Sequence, residues 1–482
     1  MENIRRTYGP VNESHHHDHG NGNQTIKPKI FKQLLAAAIA CLSSIGCGLV
    51  LGYSSPALPK FQERGLLNDE EASWFGSFGA LGAIFGAPIA GFMVDRWGRK
   101  PSLMITSVPY LIGWVCIICA RNVVLLYVGR ILTGIGMGMT TVTVALYLAE
   151  IASKDIRGFI GTLLQLCTVI GILLAFITGS YLDATWLAVC CMLAPSLLIV
   201  LMLSMPETPR WYLQYSTKEE AVQALVWLRG DGPHIEEELN ETHLNLESQA
   251  LIESSKLTLN NFTKPGLYKP LLITLGLMLI QQYSGINAVI FYSETIFESA
   301  GFKGKGALPS IIIAIVQVIF TLVAAIFMDR AGRKTLLLGS VILMMISCIT
   351  FGVYYYLADV KHYTGLSWLS ICSLSLYIIG FSLGLGPIPW IIMAEILPTK
   401  GRGPASSMAV ILNWTSCFIV TKVFYYMLNW IRSYGTFWLF GGILFAGIIF
   451  ILIFMVETKG RSLEDIELYF EGNSSVGQYE RI

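Results

Sequence analysis

The chain has 482 residues, of which 54% are hydrophobic and 13% are charged, against roughly 25% charged residues in an average soluble domain. Its 33 lysines and arginines and 32 aspartates and glutamates leave a formal charge of +1, so no basic excess awaits nucleic acid. These fractions exclude a soluble enzyme, a disordered chain and a secreted disulfide scaffold. In chain order, residues 1–32 are polar and hold His15-His16-His17-Asp18-His19. They read as a disordered cytosolic tail rather than a metal site. The apolar block that follows is too long for a signal-peptide core, so no cleavage is expected. A membrane-crossing helix needs about 20 apolar residues, and the apolar blocks predict twelve. Six lie at 33–55, 72–94, 101–120, 123–148, 158–181 and 185–205. Six more lie at 268–292, 308–328, 334–357, 366–393, 404–428 and 433–456. The fold class is therefore an all-α membrane protein, with an N-terminal six-helix bundle over 33–205 and a C-terminal one over 268–456. Between them, 206–267 is polar. Its segments Lys218–Leu228 and Ile235–Ala250 read as short amphipathic helices of an intracellular linker. Residues 457–482 form a second cytosolic tail.

Charge placement sets the orientation. With both termini in the cytosol, most of the 33 lysines and arginines fall on that side, as the positive-inside rule requires. The sequons at Asn12, Asn23, Asn240, Asn261 and Asn473 then lie on the cytosolic side, and Asn413 lies within a helix, so no N-glycan is expected. The ten cysteines sit in apolar blocks. Cys116 and Cys119 are spaced as a C-x-x-C, but with no second pair beside them they predict neither redox chemistry nor zinc.

The chain repeats itself. Asp95-Arg96-Trp97-Gly98-Arg99-Lys100 returns as Asp329-Arg330-Ala331-Gly332-Arg333-Lys334. Glu150 with Arg157 returns as Glu395 with Arg402, and Glu207 with Arg210 as Glu457 with Arg461. Three motifs recurring in one order imply two related six-helix halves in parallel orientation. That is the organisation of a transporter with its site between the halves. Each motif lies where a helix leaves the membrane on the cytosolic side. Guanidinium and carboxylate groups pair bidentately, so the fourteen arginines, aspartates and glutamates of these motifs are expected to form a cytoplasmic latch.

Here the sequence resembles the sugar porter family of the major facilitator superfamily over about residues 33–465. The motifs are Asp95–Lys100, Gly129-Arg130, Pro206–Arg210, Gln281-Gln282-Tyr283-Ser284-Gly285-Ile286-Asn287, Asp329–Lys334, Gly386-Pro387-Ile388-Pro389-Trp390 and Glu457–Arg461. Gly52–Ala57 and Ala72–Gly76 look like class III facilitative hexose carriers and equally like insect facilitated trehalose transporters. The resemblance implies a sugar site of Gln165, Gln281, Gln282, Asn287, Gln317, Trp390 and Asn413. The chemistry is suitable. Sugars are uncharged rings of hydroxyls, amides both donate and accept hydrogen bonds, and an aromatic face suits the C–H face of the ring. The bland alternative is that each amide bonds a neighbouring helix.

Gating is expected at Pro387 and Pro389, which remove backbone hydrogen bonds from helix ten, and at the pair Phe291-Tyr292. A proton symporter needs a carboxylate titrating within the membrane. The stretch Gly46–Gly52 has none, and Glu294 is the one ambiguous acid. With no P-loop either, the expectation is facilitated diffusion of trehalose or a hexose. The runners-up are a proton-coupled symporter and a non-transporting sugar sensor. Ser382 and Cys417 stand where many relatives carry Glu and Asn, which leaves room for a disaccharide. No enzymatic activity, cofactor or metal is expected. The partners are a small-molecule sugar and the lipid bilayer, the site is the cell membrane, and the protein is expected to act as a monomer.

Overall fold

The computed structural model describes residues 30–153, 156–254, 265–302, 304–362, 366–398, 401–459, 461 and 463–471. Among these residues twelve spans are long and apolar enough to cross a membrane. The first six are built from α1 (Ile30–Glu63), α2 (Asp69–Trp97), α3 (Arg99–Ile105) with α4 (Ser107–Ile118), α5 (Val123–Ile151), α6 (Arg157–Tyr181), and α7 (Ala184–Cys191) with α8 (Leu193–Met202). Then come three polar helices, α9 (Pro209–Tyr215), α10 (Lys218–Arg229) and α11 (His234–Ser254). Span 7 holds α12 (Pro265–Tyr283) and α13 (Ile286–Phe291), continued by α14 (Ser293–Ser299). Spans 8 and 9 are α15 (Ala307–Ala331) and α16 (Arg333–Asp359). Span 10 is α17 (Ser367–Gly380), a π turn and α18 (Ile388–Ile396). Spans 11 and 12 are α19 (Arg402–Trp430) and α20 (Arg432–Phe454), and α21 (Leu463–Glu471) follows.

Hydropathy locates the apolar stretch, whereas caps locate the helix end. The second helix begins three residues before its apolar run because Asn68 and Glu71 form a capping box, with both bonds at 2.8 Å. The first helix continues past residue 55 through Pro56 and Pro59 to Glu63. Four spans are interrupted, and the breaks in spans 7 and 10 bear on the site.

Glycine lets helix backbones meet. A Cβ on Gly82 or Gly86 of α2 would collide with the carbonyl oxygens of Ile131 and Ile135 of α5. Without a hydrophobic force between helices in lipid, such close packing supplies the attraction. The duplication reappears in which helices touch. Span 1 packs on span 5 and span 7 on span 11, span 2 on span 4 and span 8 on span 10, span 3 on span 6 and span 9 on span 12. Between the halves, α2 packs on α19, α6 on α15, and α1 on α13 and α14.

The polar linker folds as three helices held to the first half. Arg229, 2% exposed, donates to the carbonyl of Ile151 at 2.6 Å and to both carboxylate oxygens of Glu238. Lys32 lies 5.1 Å from the Trp227 ring centroid. The expected helices at 218–228 and 235–250 are present and slightly longer, and α9 adds a third. The histidine run and four of the sequons (Asn12, Asn23, Asn261 and Asn473) lie outside the described residues.

Candidate functional site

Span 7 breaks at Ser284-Gly285. Gly285 has φ +92°, and a Cβ there would lie 2.5 Å from the Phe440 ring, so the turn requires glycine. Ser284 secures the break. Its carbonyl accepts from Tyr377 Oη at 2.9 Å and its hydroxyl donates to the Gln281 carbonyl at 2.7 Å. Span 10 breaks at a π turn, Phe381–Leu385, where Gly386 N–H reaches back to the Phe381 carbonyl at 2.8 Å. Ser340 of α16 bridges the turn. Its hydroxyl donates to Gly380 O at 2.7 Å and accepts from Leu385 N–H at 2.9 Å. Gly384 permits that approach, since a Cβ there would lie 2.5 Å from Ser340 Cβ.

The break frees the carbonyls of Leu385 and Gly386, and Gln281 Nε2 donates to both, at 2.8 and 2.9 Å. A chain of amides runs outward from there. Asn413 Nδ2 donates to Gln281 Oε1 at 2.8 Å, Gln282 Nε2 to Asn413 Oδ1 at 3.0 Å, and Asn287 Nδ2 to Gln282 Oε1 at 2.6 Å. Asn413 also contacts Met278 Sδ at 3.2 Å. A primary amide carries two N–H donors. Gln281 and Asn413 have committed both of theirs, so they brace the two helix breaks. Asn287 also bonds the Cys417 thiol, so Gln282 alone of the four keeps an N–H uncommitted among the described residues. Burial of Asn413, 1% exposed, also closes its sequon to a glycan.

Gln165 on α6 is half-buried and Gln317 on α15 is 3% exposed. Neither bonds another described residue, and their two helices pack on each other between the halves. Trp390 is half-buried on α18, just past the break. Ser382 Oγ in the π turn and Trp414 Nε1 beside Asn413 are buried without a partner.

Arg130, fully buried on α5, was named in the sequence only as a motif residue. It donates to Val50 O at 3.0 Å, Ser54 Oγ at 2.8 Å and Phe75 O at 3.2 Å. Its acceptors are all neutral. On the first helix the buried cation thus meets the Val50 carbonyl, within the Gly46–Gly52 stretch, and the Ser54 hydroxyl one turn beyond it.

The start of span 1 and the end of span 12 lie at one end of the bundle, because an even number of spans returns the chain to the side it started from. On that face the motifs assemble twice. Arg99 Nη2 and Nε donate to Glu150 Oε1 at 2.8 and 3.1 Å, and Thr208 donates to Glu150 Oε2 at 2.6 Å. In the second half Arg333 Nη2 donates to Glu395 Oε1 at 3.3 Å, and Thr458 to Glu395 Oε2 at 2.6 Å. Glu207 accepts from the Lys100 and Thr208 N–H groups, and Glu457 from those of Lys334 and Thr458. Burial raises the Glu207 carboxyl above the ordinary range, against the pull of its backbone bonds. Burial also pushes Glu457 up, but its four backbone N–H bonds outweigh this and hold it below the ordinary range.

Each network closes within its own half. Of the other expected members, Arg210 joins the first network and several stand outside the ion pairs among the described residues. Asp95 and Arg96 are exposed, without an ion pair among the described residues. Arg402 donates to the Leu397 carbonyl rather than to a carboxylate, because the turn leaves that carbonyl free. Arg461 lines a cavity of about 370 Å³ with Lys334 and Tyr469. Arg210 sits 4.0 Å from Glu150. The side chains of Arg157, Asp329 and Arg330 lie outside the described residues. Thr208 and Thr458 were missed, although each directly follows its motif glutamate in the sequence.

Side-chain ties between the halves cluster at the opposite, far face. Ser55 accepts from Glu294 N–H at 3.0 Å. Tyr292 stacks on Phe424 at 5.5 Å, and its Oη lies 2.6 Å from where a Cβ on Gly76 would stand. Phe291 is fully buried in the core. Neither ring joins a lipid-facing aromatic belt.

The family model described as "Sugar (and other) transporter" matches residues 36–470. The chain is 40% identical to the mouse (Mus musculus) solute carrier family 2, facilitated glucose transporter member 8, over 92% of this chain and 96% of that one. It is 41% identical to the facilitated trehalose transporter Tret1 of Apis mellifera ligustica, over 91% of this chain and 88% of the other. The inward open conformation of the xylose transporter XylE from E. coli superposes with a TM-score of 0.76 at 23% identity, covering 91% of this chain and 99% of that one.

Proposed function

The chain belongs to the sugar transporter family as a multi-pass membrane protein, and from that premise we propose that it is a facilitative carrier of trehalose or a hexose such as glucose. It works by alternating access in the cell membrane, with both termini in the cytosol and no ion coupling. The observation that carries this reading is the buried chain of uncharged amides, Asn287, Gln282, Asn413 and Gln281, anchored on two helix breaks. Such a cluster offers donors and acceptors without net charge, which suits hydroxyls and penalises ions. The breaks supply the bending points that alternate opening of the two faces needs. Glucose and trehalose are the sugars in the names of the two relatives described above.

Absence of coupling is supported by the neutral acceptors of Arg130. A proton symporter has one specific observation in its favour. Glu294 is 9% exposed, and burial pushes its carboxyl up to about 7, against the pull of Lys60. Proteoliposomes loaded with labelled glucose, fructose, trehalose or inositol separate the readings. The carrier equilibrates its sugar with or without a proton gradient. Accumulation above equilibrium driven by the gradient would overturn uniport, and transport of none of the sugars would overturn the carrier.

A further inference from the structure

We propose that Lys422 is a positioning residue of transport, the key of a lock that holds the far face closed by clasping α19 onto α2. The inference rests on the alternating-access reading above and adds a residue to which no role has been assigned. Lys422 lies near the far end of α19 and is half-buried. Its ammonium stands 2.6 Å from Ser73 Oγ and 3.9 Å from the centroid of the Trp74 ring, both on α2 of the other half. It also contacts Tyr426 on its own helix, with Nζ 3.4 Å from Oη. Ser73 is fully buried, and its hydroxyl proton already goes to the Glu70 carbonyl at 2.7 Å. Its lone pairs therefore face the lysine, and the hydroxyl is preset as an acceptor.

Trp74 is held on two sides. Phe78 of its own helix lies 5.3 Å away and Phe418 of α19 lies 6.3 Å away. One tryptophan of the first half is thus gripped by a cation and a ring from the second. Among the described residues no ion pair is involved. Glu70 is the acid whose charge reaches Lys422, and it makes no contact within salt-bridge distance.

That chemistry suits a contact broken in every cycle. A buried salt bridge would strand a charge on opening. A lysine on a flexible stem releases a hydroxyl and a ring face and returns its ammonium to water. A partly desolvated cation–π contact with a hydrogen bond biases the closed state about tenfold.

The test uses the full chain in lipid nanodiscs, with spin labels at Glu63→Cys and Asn429→Cys. These are exposed positions at the far ends of α1 and α19. The exposed Cys119 and Cys372 are replaced by serine. Electron–electron distance distributions across the far face are recorded without sugar. Lys422→Met and Trp74→Leu should each raise the ratio of long to short distances about tenfold, and the double variant no further. Ser73→Ala should give part of the shift, and Lys422→Arg should keep most of the closed population. Unchanged distributions in Lys422→Met and Ser73→Ala would overturn the lock. Sugar uptake in the same preparations keeps the two claims apart. Distances that shift without any transport support the lock and refute the carrier, whereas transport with unmoved distances refutes the lock alone.

Discussion

Gln282 keeps one amide N–H outside the chain of bonds, whereas Gln281 has spent both of its own on the freed carbonyls of the span 10 break, Asn413 on Gln281 and Met278, and Asn287 on Gln282 and Cys417. Residues of one type, close in sequence, are thereby divided into one with a donor left for a ligand and others whose donors are spent on protein. Gln282→Ala should raise KM about tenfold, the scale of one or two hydrogen bonds to a ligand, with kcat less affected. Gln281→Ala frees the Leu385 and Gly386 carbonyls and should lower kcat more than it raises KM. Initial-rate uptake over a range of sugar concentrations reads both. Trp390→Ala should remove most transport while membrane insertion persists, measured as surface-labelled protein beside uptake. The helix-seven amides were legible in the sequence as a motif. Which of them hold protein was not, because the acceptors of Gln281 lie more than one hundred residues away in the chain. Lys422 was invisible for a similar reason, since its partners are on α2.

Helix breaks are the functional units at the next scale. Pro387 and Pro389 announced the one in span 10, and the one in span 7 falls at Gly285 of the amide motif. Ser340 was not announced, because a serine in an apolar helix has no signature until its partners are placed. Ser340→Ala removes both bonds across the π turn and should lower the thermal midpoint of the purified protein by several degrees, consistent with about 1–2 kcal/mol per unmet buried group. Wild-type stability in Ser340→Ala would mean that water bridges the turn.

Helix α14 carries a pH effect. Glu294 lies beyond the membrane-spanning part of span 7, and burial raises its carboxyl to about 7. Lys60 and Glu298 face it electrostatically, and Ser55 holds its backbone N–H. A carboxyl raised in the closed far face makes that state bind more protons than an open one with an ordinary value near 4.5. The closed state therefore gains stability as pH falls through 7, and loses that gain as pH rises through it. Uptake of wild-type protein should change between pH 5.5 and 8, and that of Glu294→Gln should be flatter. An equal profile in both would remove Glu294 from the gate.

At the scale of the molecule, the duplication extends from sequence to hydrogen bonds. Arg99, Glu150 and Thr208 correspond to Arg333, Glu395 and Thr458, with both threonines 2.6 Å from their glutamates. Each set ties together three helix ends of its own half. Glu150→Gln and Glu395→Gln should each destabilise the protein, the first more, since its ion pair is the shorter and more buried. The sites do not share partners, so the losses should add to within about 0.5 kcal/mol, as thermal unfolding of the two single variants and the double variant will read.

By itself the sequence determined the membrane, the twelve spans, the two halves and the family, because apolar run length and repeated motifs are local properties of a chain. Tertiary structure alone decided which charges pair within a half, which amides remain open to a ligand, and which side chains join the halves at the far face. Those outcomes depend on distances between segments remote in sequence. A hydrogen bond or a cation–π contact forms or fails within an ångström, and no pattern along one helix records that spacing.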